Sequence, residues 1–292
     1  MPAISLLLLC LFSAAGLLEA FESRPELAPC ARLETSAVKE GSALLKSPAF
    51  NNVYWVINDS GNSPHLFAFT RDGKPVKPEA VANAEYKGIR VSSAANVDWE
   101  AMTADNSGNL IIADSGNNRN RRKNLAVYIV PEPDPALVSI SSPAKKVMFR
   151  YPDQEAFPPG KMNFDAEAVF WADGRLYLVT KHRSDTRAKL YRFTSLEGER
   201  VNALKLVSSF DAGAMVTDAA VSADGKKLAL LTYDGAWLLE RPKGSDNYFA
   251  GVKKKLIFGA GQCEGITFDG PGALLVSNEE KELFEIKTAD FK

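Results

Sequence analysis

One phrase recurs five times along this chain, and it restricts the possible folds more than any other feature. An acidic or small polar residue opens it, followed by an apolar stretch, a turn and a second apolar stretch. The copies begin at Leu33-Glu34-Thr35-Ser36-Ala37-Val38, Asp98-Trp99-Glu100-Ala101-Met102, Asp165-Ala166-Glu167-Ala168-Val169, Thr217-Asp218-Ala219-Ala220-Val221 and Gln262-Cys263-Glu264-Gly265-Ile266. β-rich runs follow at 53–57, 110–113, 176–180, 228–232 and 273–277, then third runs at 66–69, 125–130, 190–193, 236–239 and 283–286. Fourth strands are expected near 88–91, 146–151, 204–210 and 255–258. The runs are short, β-branched or aromatic, and separated by Asp-Gly and Gly-Asn turns, as antiparallel strands require. Four strands per repeat, arranged radially, make an all-β fold, the β-propeller.

Blade number follows from spacing. Val38, Met102, Val169, Val221 and Ile266 are separated by 64, 67, 52 and 45 residues. One blade takes roughly 40 to 50 residues, so a hidden blade needs a gap of about 80. The spacing predicts five four-stranded blades, with six as the alternative. The last copy has room for only three strands, so residues 22–32 are expected to supply the fourth and close the ring.

Composition narrows the partners. With 35 Lys+Arg against 36 Asp+Glu the net charge is -1, and 46% hydrophobic with 24% charged residues describes an ordinary globular chain, neither disordered nor collagen-like. No global field draws a nucleic-acid backbone, so none is expected as partner. The apolar run 4–18, ending before Leu18-Glu19-Ala20, reads as a secretory signal over 1–20, with an N-terminal anchor as the alternative. The chain is then a secreted or periplasmic single domain over 21–292, with no membrane span after signal removal, and a monomer. Cys30 and Cys263 remain in the mature chain, as one disulfide or as two separate thiols.

The chain resembles a family of uncharacterised bacterial secreted β-propellers. The resemblance rests on Asn58-Asp59-Ser60-Gly61, on Asp98-Trp99-Glu100, on Asp114-Ser115-Gly116-Asn117-Asn118 with Arg122 and Pro131-Glu132-Pro133 after it, and on Asp165-Ala166-Glu167-Ala168. It covers most of the mature chain and implies a propeller without an assigned reaction. Where the family carries two acidic residues and a glycine in the second loop, this chain has Asp114-Ser115-Gly116.

In a propeller the inner strand starts on the face where the second strand ends, so both sets of residues surround one end of the axis. The inner-strand carboxylates Asp98, Glu100, Asp165, Glu167, Asp218 and Glu264 fall there. So do the second-strand exits Asn58, Asp59, Asp114, Asn117, Lys181, His182, Asp234, Asn278 and Glu279. Converging carboxylates must hold protons or recruit a cation, and oxygen-only ligands suit calcium or another divalent cation of its kind. Glu100, Glu167 and Glu264, equivalent in three repeats, are the expected metal ligands, with a water-filled structural channel, or Lys181 as the countercharge and no metal, as the alternatives. Asn58, Asp59, Asp98, Asp114, Asn117, Lys181 and His182 are the expected ligand-binding residues, although Asp59 and Asp114 also fit plain turn capping. Arg119, Arg121, Arg122 and Lys123 read as a solvated loop tip.

No Gly-x-Ser-x-Gly, His-Glu-x-x-His, phosphate-binding loop or dinucleotide fingerprint occurs, and His65 and His182 are the only histidines. The sequence therefore leaves two readings. One is a propeller that binds a small-molecule or protein ligand at its axial face. The other is a divalent-metal-dependent hydrolase of the lactonase or phosphoesterase type, in which a cation polarises the substrate and a carboxylate acts as base.

Overall fold

A computed structural model describes residues 24–82 and 84–292, and these are almost wholly strand and turn. The expected signal over 1–20 lies outside the described residues. Among the described residues no helix is long and apolar enough to cross a membrane.

Along the chain, a short β1 (Ala31–Arg32) precedes the meander β2 (Gly41–Lys46), β3 (Tyr54–Asn58), β4 (His65–Phe69) and β5 (Ile89–Ser92). Next come β6 (Trp99–Ala104), β7 (Asn109–Asp114), β8 (Ala126–Pro131), β9 (Ile140–Pro143) and β10 (Lys145–Arg150). A third meander is β11 (Asp165–Ala172), β12 (Arg175–Lys181), β13 (Arg187–Phe193) and β14 (Asn202–Asp211). A fourth is β15 (Val216–Val221), β16 (Lys227–Thr232), β17 (Gly235–Glu240) and β18 (Lys253–Ile257). The chain ends with β19 (Cys263–Phe268), β20 (Ala273–Asn278) and β21 (Glu282–Lys287).

The first strands of these meanders form a ring: β2 packs on β6, β6 on β11, β11 on β15, β15 on β19, and β19 returns to β2. The remaining strands fan outward by antiparallel pairing, which is the radial plan of a β-propeller. Because each sheet is packed on both faces, its middle strand reads as a continuous apolar run rather than an alternating one; every residue of β3 is buried. Apolar clusters fill the gaps between sheets. Trp99 packs with Trp55, Ile57 and Tyr128 in one of them, and Phe170, Tyr177 and Tyr248 stand against Leu228 and Leu239 in the next but one.

β1 pairs antiparallel with β21, Ala31 opposite Leu283, so the N-terminal segment does supply the outer strand of the last sheet. Several details differ from expectation. The first inner strand is Gly41–Lys46, not the phrase at 33–38, whose Leu33 and Val38 are buried in a loop. β9 was not anticipated; it returns to pair parallel with β5. β10 and β14 also pair parallel, at Phe149 with Asn202, and merge two sets of strands into one eight-stranded sheet. Cys30 is exposed, Cys263 is buried, and both are free thiols, which decides between the two cysteine readings.

Each inner strand carries a β-bulge at the same level. Register shifts fall between Ser42 and Leu44, Trp99 and Ala101, Ala166 and Ala168, Val216 and Asp218, and Cys263 and Gly265. The skipped residues are Ala43, Glu100, Glu167, Thr217 and Glu264. A bulge re-aims the extra side chain out of the alternating pattern. Three of the five re-aimed residues are glutamates.

Candidate functional site

At the end of the ring where inner strands begin and second strands end lies a cavity of about 240 Å³. Its walls are Glu40, Gly41, Ser42, Asp59, Glu100, Asn118, Glu167, Lys181, Arg183, Tyr233, Gln262, Glu264 and Glu279, with no aliphatic side chain among them. Glu100, Glu167 and Glu264 all reach it, as the repeat alignment implied, but they meet different neighbours.

Glu167 is 2% exposed and its Oε2 stands 3.1 Å from Lys181 Nζ at the end of β12. Lys181 donates to the Tyr233 hydroxyl at 2.9 Å and lies 4.9 Å from the centre of that ring. Tyr233 in turn donates to Glu264 Oε1 at 3.0 Å, and Gln262 donates to the same oxygen at 3.0 Å and to Glu279 at 2.6 Å. Burial opposes the Lys181 charge, but Glu167 and Glu264 overcome that and hold its pKa above the ordinary lysine value. This wall is partly compensated: one ammonium serves two carboxylates, and burial still raises the Glu167 pKa well above, and the Glu264 pKa above, the usual carboxylate range. Tyr233 occupies the two-residue turn Tyr233-Asp234, and Gly235 makes that turn possible: its φ is +140°, and a Cβ there falls 2.1 Å from the Leu256 carbonyl oxygen.

The opposite wall is not compensated. Carboxylate oxygens of Asp59, Asp98 and Glu100 all lie within 4.8 Å of one another. Two full charges at that separation repel by about 3 kcal/mol at an effective dielectric of about 20. Accordingly Asp98 is pushed up to about 7 by burial and then by the Asp59 charge, with Arg122 opposing. Glu100, 5% exposed, is raised well above the usual carboxylate range by burial, then by the charges of Glu167 and Asp59. Among the described residues no donor reaches the Glu100 carboxylate. Gly116 lets the pair sit this way: a Cβ there falls 2.3 Å from Asp98 Cγ and 2.4 Å from Glu100 Oε1.

Several expected ligand-binding residues hold loops instead. Asn58 accepts from the Lys39 amide and donates to the Ala37 carbonyl. Asp114 is fully buried, takes Arg122 Nη2 at 2.8 Å and the Asp98 amide at 3.0 Å on Oδ1, and does not face the cavity. Asn117 donates through its side chain to the Phe164 carbonyl, and its amide donates to Asp165. His182 is turned onto Asp185, with Nδ1 to Oδ1 at 2.6 Å, and burial lowers its pKa. Arg122 is no solvated tip: it also donates to the Gly116 carbonyl and pins the 114–122 loop. Asp218 sits one place past the bulge and caps the Ala219 and Ile266 amides. Asp165 is held by Arg183 at 2.7 Å. Of the expected ligand-binding residues, then, Asp59, Asp98 and Lys181 stand at the cavity or beside it.

Sequence reasoning missed Tyr233, Arg183, Gln262 and Glu40. The one available signal was position, since Tyr233 follows β16 as Asp59 follows β3.

No family model and no curated protein matches the chain. Among solved structures, the PQQ-bound aldose sugar dehydrogenase from Streptomyces coelicolor aligns with a TM-score of 0.50 at 9% identity, over 91% of this chain and 99% of that one. A luciferin-regenerating enzyme aligns at 0.49 and 11% identity, over 92% and 78%. The propeller domain of Cps50 (Swd1) from Myceliophteria thermophila aligns at 0.42 and 10%, over 85% and 97%. At these identities the first likeness bears on the fold alone. Fold and cavity together define the class: an all-β, propeller-like protein with an acidic axial cavity.

Proposed function

We propose that this chain is a secreted or periplasmic five-bladed β-propeller, one domain over 21–292, that binds a small ligand at its axial face through a divalent cation, calcium. The ring of β2, β6, β11, β15 and β19, each with one bulge at the same level, supports the count of five. The resemblance to the secreted propeller family supports the compartment. The observation that carries the function is the convergence of Asp59, Asp98 and Glu100, with Glu100 buried and undonated. Calcium takes oxygen ligands from just such carboxylates, and binding converts their repulsion into coordination. Glu167 and Glu264, expected beforehand as ligands beside Glu100, flank the cation in this reading, with Lys181 paired to Glu167 and Tyr233 donating to Glu264.

The test is metal analysis of the purified mature protein, with melting curves in calcium and in chelator. Metal retention and a calcium-dependent rise in melting temperature that Glu100→Gln abolishes are expected. An equal rise in wild type and variant, or none in either, overturns the reading. A lactone and phosphoester panel run on the same sample separates the hydrolase alternative, for which the Lys181–Tyr233–Glu264 chain on the facing wall supplies acid–base groups.

A further inference from the structure

We infer that the molecule taken up with the cation is small, neutral and rich in hydroxyl groups, of about monosaccharide size. This rests on the cation reading above and names the ligand class of the same cavity.

Three carboxylates on one wall leave a calcium ion short of the six to eight oxygens that it takes. Its open positions face the hollow. Roughly eight waters at about 30 Å³ each fill that volume of about 240 Å³, so the guest is small. An apolar guest finds no partner surface, unlike in the mostly apolar pockets that hold most small ligands.

The facing wall then sets the charge and hydrogen-bonding character. Glu264 and Glu279 stand there, and both bonds that reach Glu264 fall on Oε1; among the described residues none reaches Oε2. Both cations of the cavity are already engaged, Lys181 with Glu167 and Tyr233, and Arg183 with Asp165. A guest must therefore do two things at once. It must give an oxygen lone pair to the cation and a proton to a carboxylate.

A carboxylate or phosphate gives only the lone pair and is repelled by the glutamates across the cavity. An alkylammonium gives only protons, because its nitrogen has no free pair to coordinate a metal. A hydroxyl does both, and neighbouring hydroxyls on one carbon frame span the two walls.

The experiment is titration calorimetry on the full mature protein, in saturating calcium and again in chelator, with galactose, mannose and myo-inositol as neutral probes. Galacturonate and cadaverine are the charged controls. Heat from at least one neutral probe is expected in calcium only, with Glu264→Gln weakening it by about tenfold or more at a calcium concentration that saturates that variant. Glutamine keeps an oxygen for Tyr233 and Gln262, so the wall survives the change. The inference is overturned if calcium binds and no neutral probe does, if only galacturonate or cadaverine binds, if a sugar binds equally in chelator, or if Glu264→Gln has no effect. If calcium binds to neither wild type nor variant, the cation reading fails and takes this inference with it.

Discussion

The two walls of the axial cavity draw on the same bulge, in β6 on one side and in β11 and β19 on the other, yet their charges are met to different degrees. Around Glu167 and Glu264, Lys181 ends β12 and Tyr233 sits in the turn after β16, and an unbroken hydrogen-bonded chain links both carboxylates to one ammonium. Around Glu100 the adjoining strand ends in Asp114, whose charge Arg122 takes up, and the next positions are Ser115 and Gly116. Among the described residues no donor is left for the Glu100 carboxylate. The repeat thus fixes where a side chain points, while the residue at the neighbouring strand exit decides whether its charge is met from inside the molecule or from outside.

The largest expected effect comes from making the compensated wall resemble the other. Lys181→Met strands two buried glutamates, and loss of one partner of a buried pair costs about 3–5 kcal/mol of unfolding free energy, readable by urea titration. A loss below about 1 kcal/mol, the size of an exposed pair, shows that the ammonium is not what holds that wall. Next in size, calcium at 100 times its dissociation constant should stabilise the wild type by about 2.7 kcal/mol, and Asp98→Asn and Glu100→Gln by little or nothing.

Gly116→Ala pushes a methyl into Asp98 and Glu100, and overpacking of this kind costs about 1–3 kcal/mol. It should also abolish the calcium shift. Retention of the full shift means that the two carboxylates can part without losing the ion.

The smallest effect is a slope with pH. Asp98, pushed up to about 7, and Glu100 keep protons in the fold that they give up in the unfolded chain above about pH 4 to 5. In chelator the folded state then binds more protons than the unfolded state, so stability falls as pH rises from about 4.5 through 7. Calcium should flatten that fall and bind more tightly as pH rises, because it displaces those protons. Melting temperatures at stepped pH, with and without calcium, give both slopes.

Much of the fold was legible because the middle strands announce themselves: the apolar runs at 110–113 and 228–232 lie inside β7 and β16. The first inner strand was not. Gly41-Ser42-Ala43 offers neither acid nor bulk at the start of β2, and the similar-looking 33–38 drew the assignment. β9 was hidden because an added parallel strand leaves no repeat signal. In the site, the equivalence of Glu100, Glu167 and Glu264 could be read because a bulge repeats with its strand. Asp59, however, reaches Asp98 from a turn outside any strand, and one-dimensional alignment carries no information about that approach. Asp114 and Asn117 illustrate the converse, since polar residues at strand exits went to the loop's own backbone and to Arg122.

The pairing of β1 with β21 also bears on the order in which the protein can be made. Ala31 and Leu283 are 252 residues apart, so this seam joins the first described strand to be synthesised with the last. Closing so long a loop is slow compared with forming each local hairpin. Until translation delivers β21, the outermost place in the last sheet has no neighbour to join. A nascent chain can build its meanders one after another, but the circle is sealed only once β21 has emerged.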